Sequence, residues 1–256
     1  MFDHNEKSGL AGKIYVVTGG GSGIGLAIST ALCEQGAHVA ILDLVSSNGL
    51  AAAQELQQAG HQASFYAADV SQLDDLQDIA GLVESQLGSI NGFVANAGIS
   101  QAIQAMDYTP EAWRRTMGVN LDGAFFSTQA FAKRMRVKGG SIVLLASIAA
   151  DHVVSPETHA AYGASKAAVA HLASLLGNEW APLSIRVNAV APGYTDTPIL
   201  HKMKTEDPET IAAWVDRTPI RRLLRPEEVA NAVMFLLSGY ASGITGTVLD
   251  VDGGYQ

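Results

Sequence analysis

Tyr162 and Lys166 stand four positions apart in the stretch YGASK, and a phenol beside an ammonium is a proton-transfer device. On a helix, positions i and i+4 share one face, so both side chains can enter one cleft. A free phenol with a pKa near ~10 is protonated at neutral pH and is a poor base. A cation ~4 Å away, at an effective dielectric of ~20, favours phenolate by about 4 kcal/mol, or roughly three pKa units. The spacing therefore predicts an acid–base tyrosine, a role worth of the order of 10²- to 10⁴-fold in rate. It suits equally a snorkelling surface lysine beside a half-buried ring, so the pair needs a setting.

The setting begins at TGGGSGIG, residues 18–25, where five glycines follow the apolar run IYVV and precede an apolar helical segment. A backbone without Cβ atoms can approach a pyrophosphate, and a helix N-terminus offers it free N–H groups and positive potential. Asp43 ends the run HVAILD 18 residues beyond Gly25. In a βαβ unit that carboxylate returns beside the glycine turn, where it can accept hydrogen bonds from ribose hydroxyls. A 2'-phosphate there meets like charge, and neither Ser22 nor Leu44 supplies a cation, so NAD is expected rather than NADP.

These residues need a scaffold, and the chain provides a rhythm for one. Apolar, β-branched runs recur at IYVV, HVAILD, ASFYAA, GFVAN, SIVLLAS, IRVNAVA and TVLDV, with helical spacing between them. Strands without polar alternation, separated by helices, indicate a parallel sheet covered on both faces. That leaves a doubly wound sheet or a (β/α)₈ barrel, and the first strand-to-helix turn selects the doubly wound α/β form, a Rossmann-type sheet of seven strands.

No linker divides the 256 residues, so one catalytic domain over 11–256 is expected, with 1–10 as a flexible N-terminal tail. Hydrophobic residues make up 48% of the chain, ample for one large core. The net charge of −9 and the lack of a Lys/Arg cluster argue against nucleic-acid or anionic-membrane partners. Cys33 is the single cysteine, read as core filler, which excludes an internal disulfide and a cysteine-based zinc cluster. The polar, acidic leader and the absence of a long apolar run point to a cytoplasmic protein.

The glycine spacing fits T-G-x-x-x-G-x-G, and with it stand AADV (67–70), ANAG (95–98), VN (119–120), Ser147, Tyr162, Lys166, PGYTDT (192–197) and VDGG (251–254). In that order the set resembles the short-chain dehydrogenase/reductase family over essentially the whole chain after residue 10. The resemblance implies a cofactor site formed by Gly19, Gly21, Ser22, Gly23, Ile24, Gly25, Asp43, Asp69, Val70, Asn96, Ala97, Gly98, Tyr162, Lys166, Pro192, Gly193, Thr195 and Thr197. Within it Asp69 meets the adenine amine, Val70 packs near the ring, and Asn96 helps hold the central sheet. Thr195 and Thr197 approach the nicotinamide carboxamide. Tyr162 takes the hydroxyl proton as hydride leaves the carbinol carbon, and Lys166 binds the nicotinamide ribose. Ser147 orients the substrate oxygen, and Asn120 completes a water-linked proton path. No metal is implied in catalysis, although the terminal carboxylate of Gln256 is a conceivable cation ligand. A homotetramer is implied, with the helix carrying Tyr162 and the long helix near 121–136 at a two-fold interface.

The chain departs from the resemblance in one place. Fifteen residues lead from Ser147 to Tyr162, two more than the family commonly has. The extra length falls in a loop bearing His152, Ser155, Glu157 and His159, polar enough to meet a hydroxylated substrate. The two histidines, seven residues apart without a third ligand, read as solvated rather than metal-binding. Residues 196–224 look like a substrate lid, with Met203 and Trp214 either lining it or anchoring its packing. NEWA followed by PGY is similar to members acting on sugar alcohols and keto-sugar acids, so polyol oxidation is the expected activity. A 3-oxoacyl thioester (acyl-carrier-protein) reductase, a hydroxysteroid or small secondary-alcohol dehydrogenase, and a dinucleotide-sensing binding protein are the alternatives.

Overall fold

A computed structural model describes residues 8–156, 158–198, 200 and 207–255. Its centre is one seven-stranded sheet in the order β3-β2-β1-β4-β5-β6-β7. The strands are β1 (Ile14–Thr18), β2 (His38–Asp43), β3 (Gln62–Ala67), β4 (Ile90–Ala95), β5 (Gly140–Leu145), β6 (Ile185–Pro192) and β7 (Val248–Val251). Every pairing is parallel. The expected doubly wound Rossmann sheet is therefore present, and all seven strands deliver their carboxyl ends to one edge. In such sheets the crevice at that edge is where ligands sit.

Helices α1 (Gly23–Glu34), α2 (Gly49–Gln58), α3 (Leu76–Leu87), α4 (Pro110–Met117), α5 (Ala124–Met135), α6 (Ala160–Trp180), α7 (Pro208–Arg217) and α8 (Pro226–Leu237) complete the fold. One apolar cluster joins α3, α5 and α6 to the sheet through Phe93, Phe131, Ile142 and Leu176. The other joins α1, α2 and α8 through Val17, Ile28, Leu32, Ile41 and Val233. Cys33 is buried in this second cluster, as core filler should be. Leu10 is buried in it too, so the domain begins inside the expected tail; residues 1–7 lie outside the described set. A leucine this apolar gains more from burial under β1 than from solvent.

Two side chains knit the sheet where the pattern of apolar runs could not. β4 starts at Ile90, and the register against β1 shifts between Ile14 and Tyr15. Asn91 Oδ1 accepts the Ile14 N–H at 3.0 Å there and replaces the ladder bond. At the opposite end Thr18 Oγ1 donates to the Val94 carbonyl (3.3 Å) and accepts from the Asn96 and Ala97 N–H groups (3.0 and 3.1 Å). Thr18 thus ties the start of the glycine turn to the chain leaving β4. Replacing it with the isosteric valine strands buried donors, and we expect Thr18→Val to lower unfolding free energy by about 2 kcal/mol in urea titration, with Thr18→Ser largely retaining stability.

Candidate active site

The carboxyl edge of the sheet opens into a cleft of about 930 Å³, within the size range of cofactor and substrate sites. Asp43, Leu44, Asp69 and Val70 line one end, the glycine turn lines the middle, and Ser147, Tyr162, Lys166 and the loop after β6 line the other. Most residues singled out from the sequence converge here: Gly19, Ser22, Gly23, Ile24, Gly25, Asn96, Ala97, Gly98, Pro192, Gly193, Thr195 and Thr197 are all at its wall.

The turn after β1 has little freedom. Gly19 sits at φ +62°, and a Cβ on Gly25 would lie 2.1 Å from the Gly19 carbonyl. Ser22 N-caps α1 without a side-chain hydrogen bond, which leaves the first N–H groups of that helix for an anion. Asn96 Nδ2 donates to the Thr18 and Gly19 carbonyls (2.9 and 3.1 Å), fixing the turn from the β4 side. Gly21 stands behind the wall rather than on it. Its N–H donates to Asp43 Oδ2 at 3.0 Å, and a Cβ there would come within 2.5 Å of Gly49.

Asp43 Oδ1 accepts the Leu44 N–H at 2.8 Å, so the carboxylate is held by backbone on both oxygens at the cleft rim. Asp69 Oδ1 takes both Ser71 donors, at 2.9 and 2.7 Å, and Val70 is buried beside it. In the middle, the Thr197 methyl carbon comes 3.4 Å from where a Gly23 side chain would begin. Thr195 is buried, donates to the Gly193 carbonyl at 2.9 Å and bridges to Leu224. The cleft walls, the uncapped α1 terminus and the backbone-held carboxylate of Asp43 fit the requirements of a nicotinamide dinucleotide.

Ser147 lies two residues past the end of β5 rather than within the strand. It leaves at φ −173° and caps a single 3₁₀ turn, Ile148–Ala150, by accepting the Ala149 N–H at 3.2 Å. It lines the cleft together with Tyr162, which lies on the first turn of α6. Lys166 follows one turn later, is only 5% exposed, and its Nζ lies 5.7 Å from the Tyr162 ring centroid. The i, i+4 expectation holds: both side chains enter the same cleft.

The electrostatics differ from the expectation. Burial raises the Tyr162 pKa, and the Ser147 hydrogen bond offsets only part of that. Burial also pushes the Lys166 ammonium down to about 8. Its Nζ donates to the Leu145 carbonyl at 2.6 Å, toward β5, rather than to the phenol oxygen. Desolvation penalises both charged forms, and here it outweighs the attraction between them. The protein by itself keeps the phenol protonated and brings the lysine close to neutral pH.

Asn120 is buried behind Lys166 in a six-residue π-helical stretch, Gly118–Gly123, that interrupts the helix between α4 and α5. Its side chain is fully engaged, accepting from the Ile99 N–H (2.8 Å) and donating to the Ile99 carbonyl (2.9 Å) and Ser165 Oγ (3.1 Å). It shapes the cleft floor without lining it. Gly98 faces both Asn120 Oδ1 and Lys166 Nζ, at 3.4 and 3.5 Å from its would-be Cβ.

The loop before α6 is largely exposed, His152 included, with Val154 and His159 half-buried. His159 Nδ1 is 2.9 Å from Ser100 Oγ, and its ring stands 5.9 Å from that of Tyr162. The His152 ring meets Tyr255 edge-on at 5.7 Å. Among the described residues no cluster of three His, Cys, Asp or Glu side chains could hold a metal. Glu157, Met203 and Gln256 lie outside the described residues. Pattern reading gave no role to Ile99, Ser100 or Tyr194, which line the cleft; the last stands in the Pro-Gly turn, where an aromatic was the available signal.

A family model described as enoyl-(acyl carrier protein) reductase matches residues 19–256. A galactitol 2-dehydrogenase (L-tagatose-forming) of Cereibacter sphaeroides is 39% identical over 254 residues, covering 99% of this chain and 98% of the relative. A short-chain type dehydrogenase/reductase from Mycobacterium marinum superposes with a TM-score of 0.91 at 34% identity, covering 96% of each chain. A structure from Beutenbergia cavernae with bound NADP at low occupancy gives 0.89 at 36% identity, over 96% of this chain and 97% of that one.

The buried lysine carries a testable cost. A folded-state pKa lowered from the ordinary 10.5 to about 8 means that the penalty is fully present below pH 8 and fades as pH rises toward 10.5. We expect Lys166→Met to be more stable than wild type by about 2 kcal/mol at pH 7 in calorimetry, with the difference closing by pH 10.

Proposed function

The chain belongs to the short-chain dehydrogenase/reductase family, an oxidoreductase acting on alcohols, and from that premise we propose that it oxidises a polyol to the ketose with NAD as acceptor. The observation that carries the chemistry is the convergence of Ser147, Tyr162 and Lys166 on the cleft that also holds the glycine turn, with Lys166 Nζ 5.7 Å from the Tyr162 ring centroid. The polyol reading draws support from the galactitol 2-dehydrogenase likeness.

Bound nicotinamide supplies a two-electron acceptor at the far end of the cleft from Asp43. The chain's own part is proton handling and positioning. Ser147 donates to the carbinol oxygen and fixes its distance from Tyr162. Tyr162 receives the hydroxyl proton as the carbinol carbon loses hydride, and returns it when the ketone is reduced. Lys166, with a pKa near 8, exchanges protons near neutrality and passes them from Tyr162 toward Asn120 and solvent. It also retains N–H donors beyond the one given to Leu145, which suits it to the nicotinamide ribose.

At the adenosine end the argument is one of charge. Asp43 presents a carboxylate locked by two backbone donors, and the residues that follow, Leu44 to Asn48, include no cation to offset a phosphate. NAD is thereby favoured, although a relative holds NADP. The setting that accompanies this reading is a cytoplasmic homotetramer.

Initial rates over a panel of polyols, simple secondary alcohols and a 3-oxoacyl thioester, each with both cofactors, test the proposal. We expect kcat/KM with NAD to exceed that with NADP by at least roughly tenfold, and Asp43→Ala to narrow the ratio. Tyr162→Phe should cut turnover by about 10²-fold or more while leaving NADH fluorescence titration unchanged. Because burial raises the phenol pKa in the free protein, alcohol oxidation should accelerate from pH 7 to 10 as the phenolate fraction grows, while ketone reduction, which uses the protonated phenol, holds its plateau over the same range. A phenylalanine variant with wild-type turnover overturns the assignment of the base.

A further inference from the structure

The segment that follows Gly98 carries a hydroxyl that the chemistry above leaves unused. Ser100 is exposed and stands on the cleft wall. An exposed serine is ordinarily free to turn, but this one is held from three directions. Before it, Asn120 clamps the N–H and the carbonyl of Ile99 at 2.8 and 2.9 Å. After it, the Tyr108 hydroxyl donates to the Gln101 carbonyl at 3.2 Å, and the Ile103 N–H donates to the Thr158 carbonyl at 3.0 Å, which ties the segment to the loop before α6. The third hold is on the side chain itself: Ser100 Oγ lies 2.9 Å from His159 Nδ1. His159 occupies the N-cap of α6 yet makes no side-chain cap bond there, and its ring reaches Ser100 instead. The same ring is 5.9 Å from that of Tyr162, so the pair stands beside the phenol that handles the carbinol proton.

We propose that Ser100 Oγ is a specificity contact for a second hydroxyl of the substrate, on the carbon next to the carbinol, and that His159 is the residue that positions it. If the serine O–H donates to Nδ1, Oγ keeps two acceptor lone pairs; if Nδ1–H donates to the serine, Oγ keeps one lone pair and its own proton. In both tautomers it can accept the O–H of a neighbouring alcohol, a donor that an ionised acid arm lacks. A vicinal diol therefore satisfies Ser100 in either state, and a carboxylate in only one. Arg114 and Arg115 on α4 line the same cleft and attract anions, so a hydroxy acid belongs in the test. This inference rests on the polyol reading.

Initial rates on a vicinal diol and on the mono-alcohol of the same carbon chain give the ratio of kcat/KM that reads this contact. We expect Ser100→Ala to lower the diol-to-mono-alcohol ratio about three- to tenfold, the worth of one neutral hydrogen bond. His159→Phe keeps a ring beside Tyr162 and should lower the same ratio. Combined with Ser100→Ala it should lower the ratio no further, because both changes remove one contact. His159→Asn, whose amide offers a hydrogen-bonding atom in place of Nδ1, should restore most of the ratio. An unchanged ratio in Ser100→Ala, or additive losses in the double variant, overturns the assignment of the pair. A larger loss on a hydroxy acid than on the diol overturns it as well, since Ser100 then serves an acid arm. A wild type that oxidises the mono-alcohol and no diol or polyol overturns the polyol reading, and the contact with it.

Discussion

Removing an ammonium and a phenol from water together is the constraint around which this cleft is built. Lys166 is held 5% exposed with its Nζ on the Leu145 carbonyl, and Tyr162 is shut in against Ser147. Neither charged form is favoured in that enclosure, so each group is displaced toward neutrality. A site in which the phenol rests uncharged and the ammonium sits close to its titration point responds strongly to any new charge, because the surrounding dielectric screens it weakly. The arrangement costs stability and gains responsiveness.

Three elements share the work of holding it. β5 supplies the Leu145 carbonyl and, two residues on, Ser147. α6 supplies Tyr162 and Lys166 one turn apart, and Ser165 between them reaches Asn120. The π-helical stretch at Gly118–Gly123 turns Asn120 inward, where it clamps both polar groups of the Ile99 backbone. Local departures from the ordinary helix ladder often mark functional sites, and this one forms the floor under the reacting groups. The aromatic stack on Tyr194 closes the same end from the other side.

Much of this was legible from residue order. The apolar runs marked all seven strands, because strands buried on both faces need no polar alternation. The TGGGSGIG turn and Asp43 located the nucleotide end, since few residue types tolerate Gly19's φ of +62° or the Gly25 contact. The spacing of Tyr162 and Lys166 was enough to bring them to one cleft. What escaped was set by tertiary surroundings. The i, i+4 rule measures proximity but not desolvation, so it suggested a lowered phenol pKa where burial raises it. Thr18 read as the edge of a glycine motif, and its three hydrogen bonds reach residues 76 or more positions away. Trp214 could be read equally as lining or anchor, and the stack on Tyr194 makes it both.

The sheet order also bears on how the chain acquires its shape. β1 precedes the sheet's other six strands in the chain and lies inside the sheet, flanked by β2 and β4. Its β2 neighbour follows after one helix, whereas β4 follows only after two further helices and β3. During synthesis one side of β1 can be satisfied early, while the other must wait for a distant segment with its backbone groups exposed. Parallel pairings of such separation are entropically slow to close. The half-built nucleotide crevice is therefore also the stretch in greatest need of protection from wrong partners while the chain is incomplete.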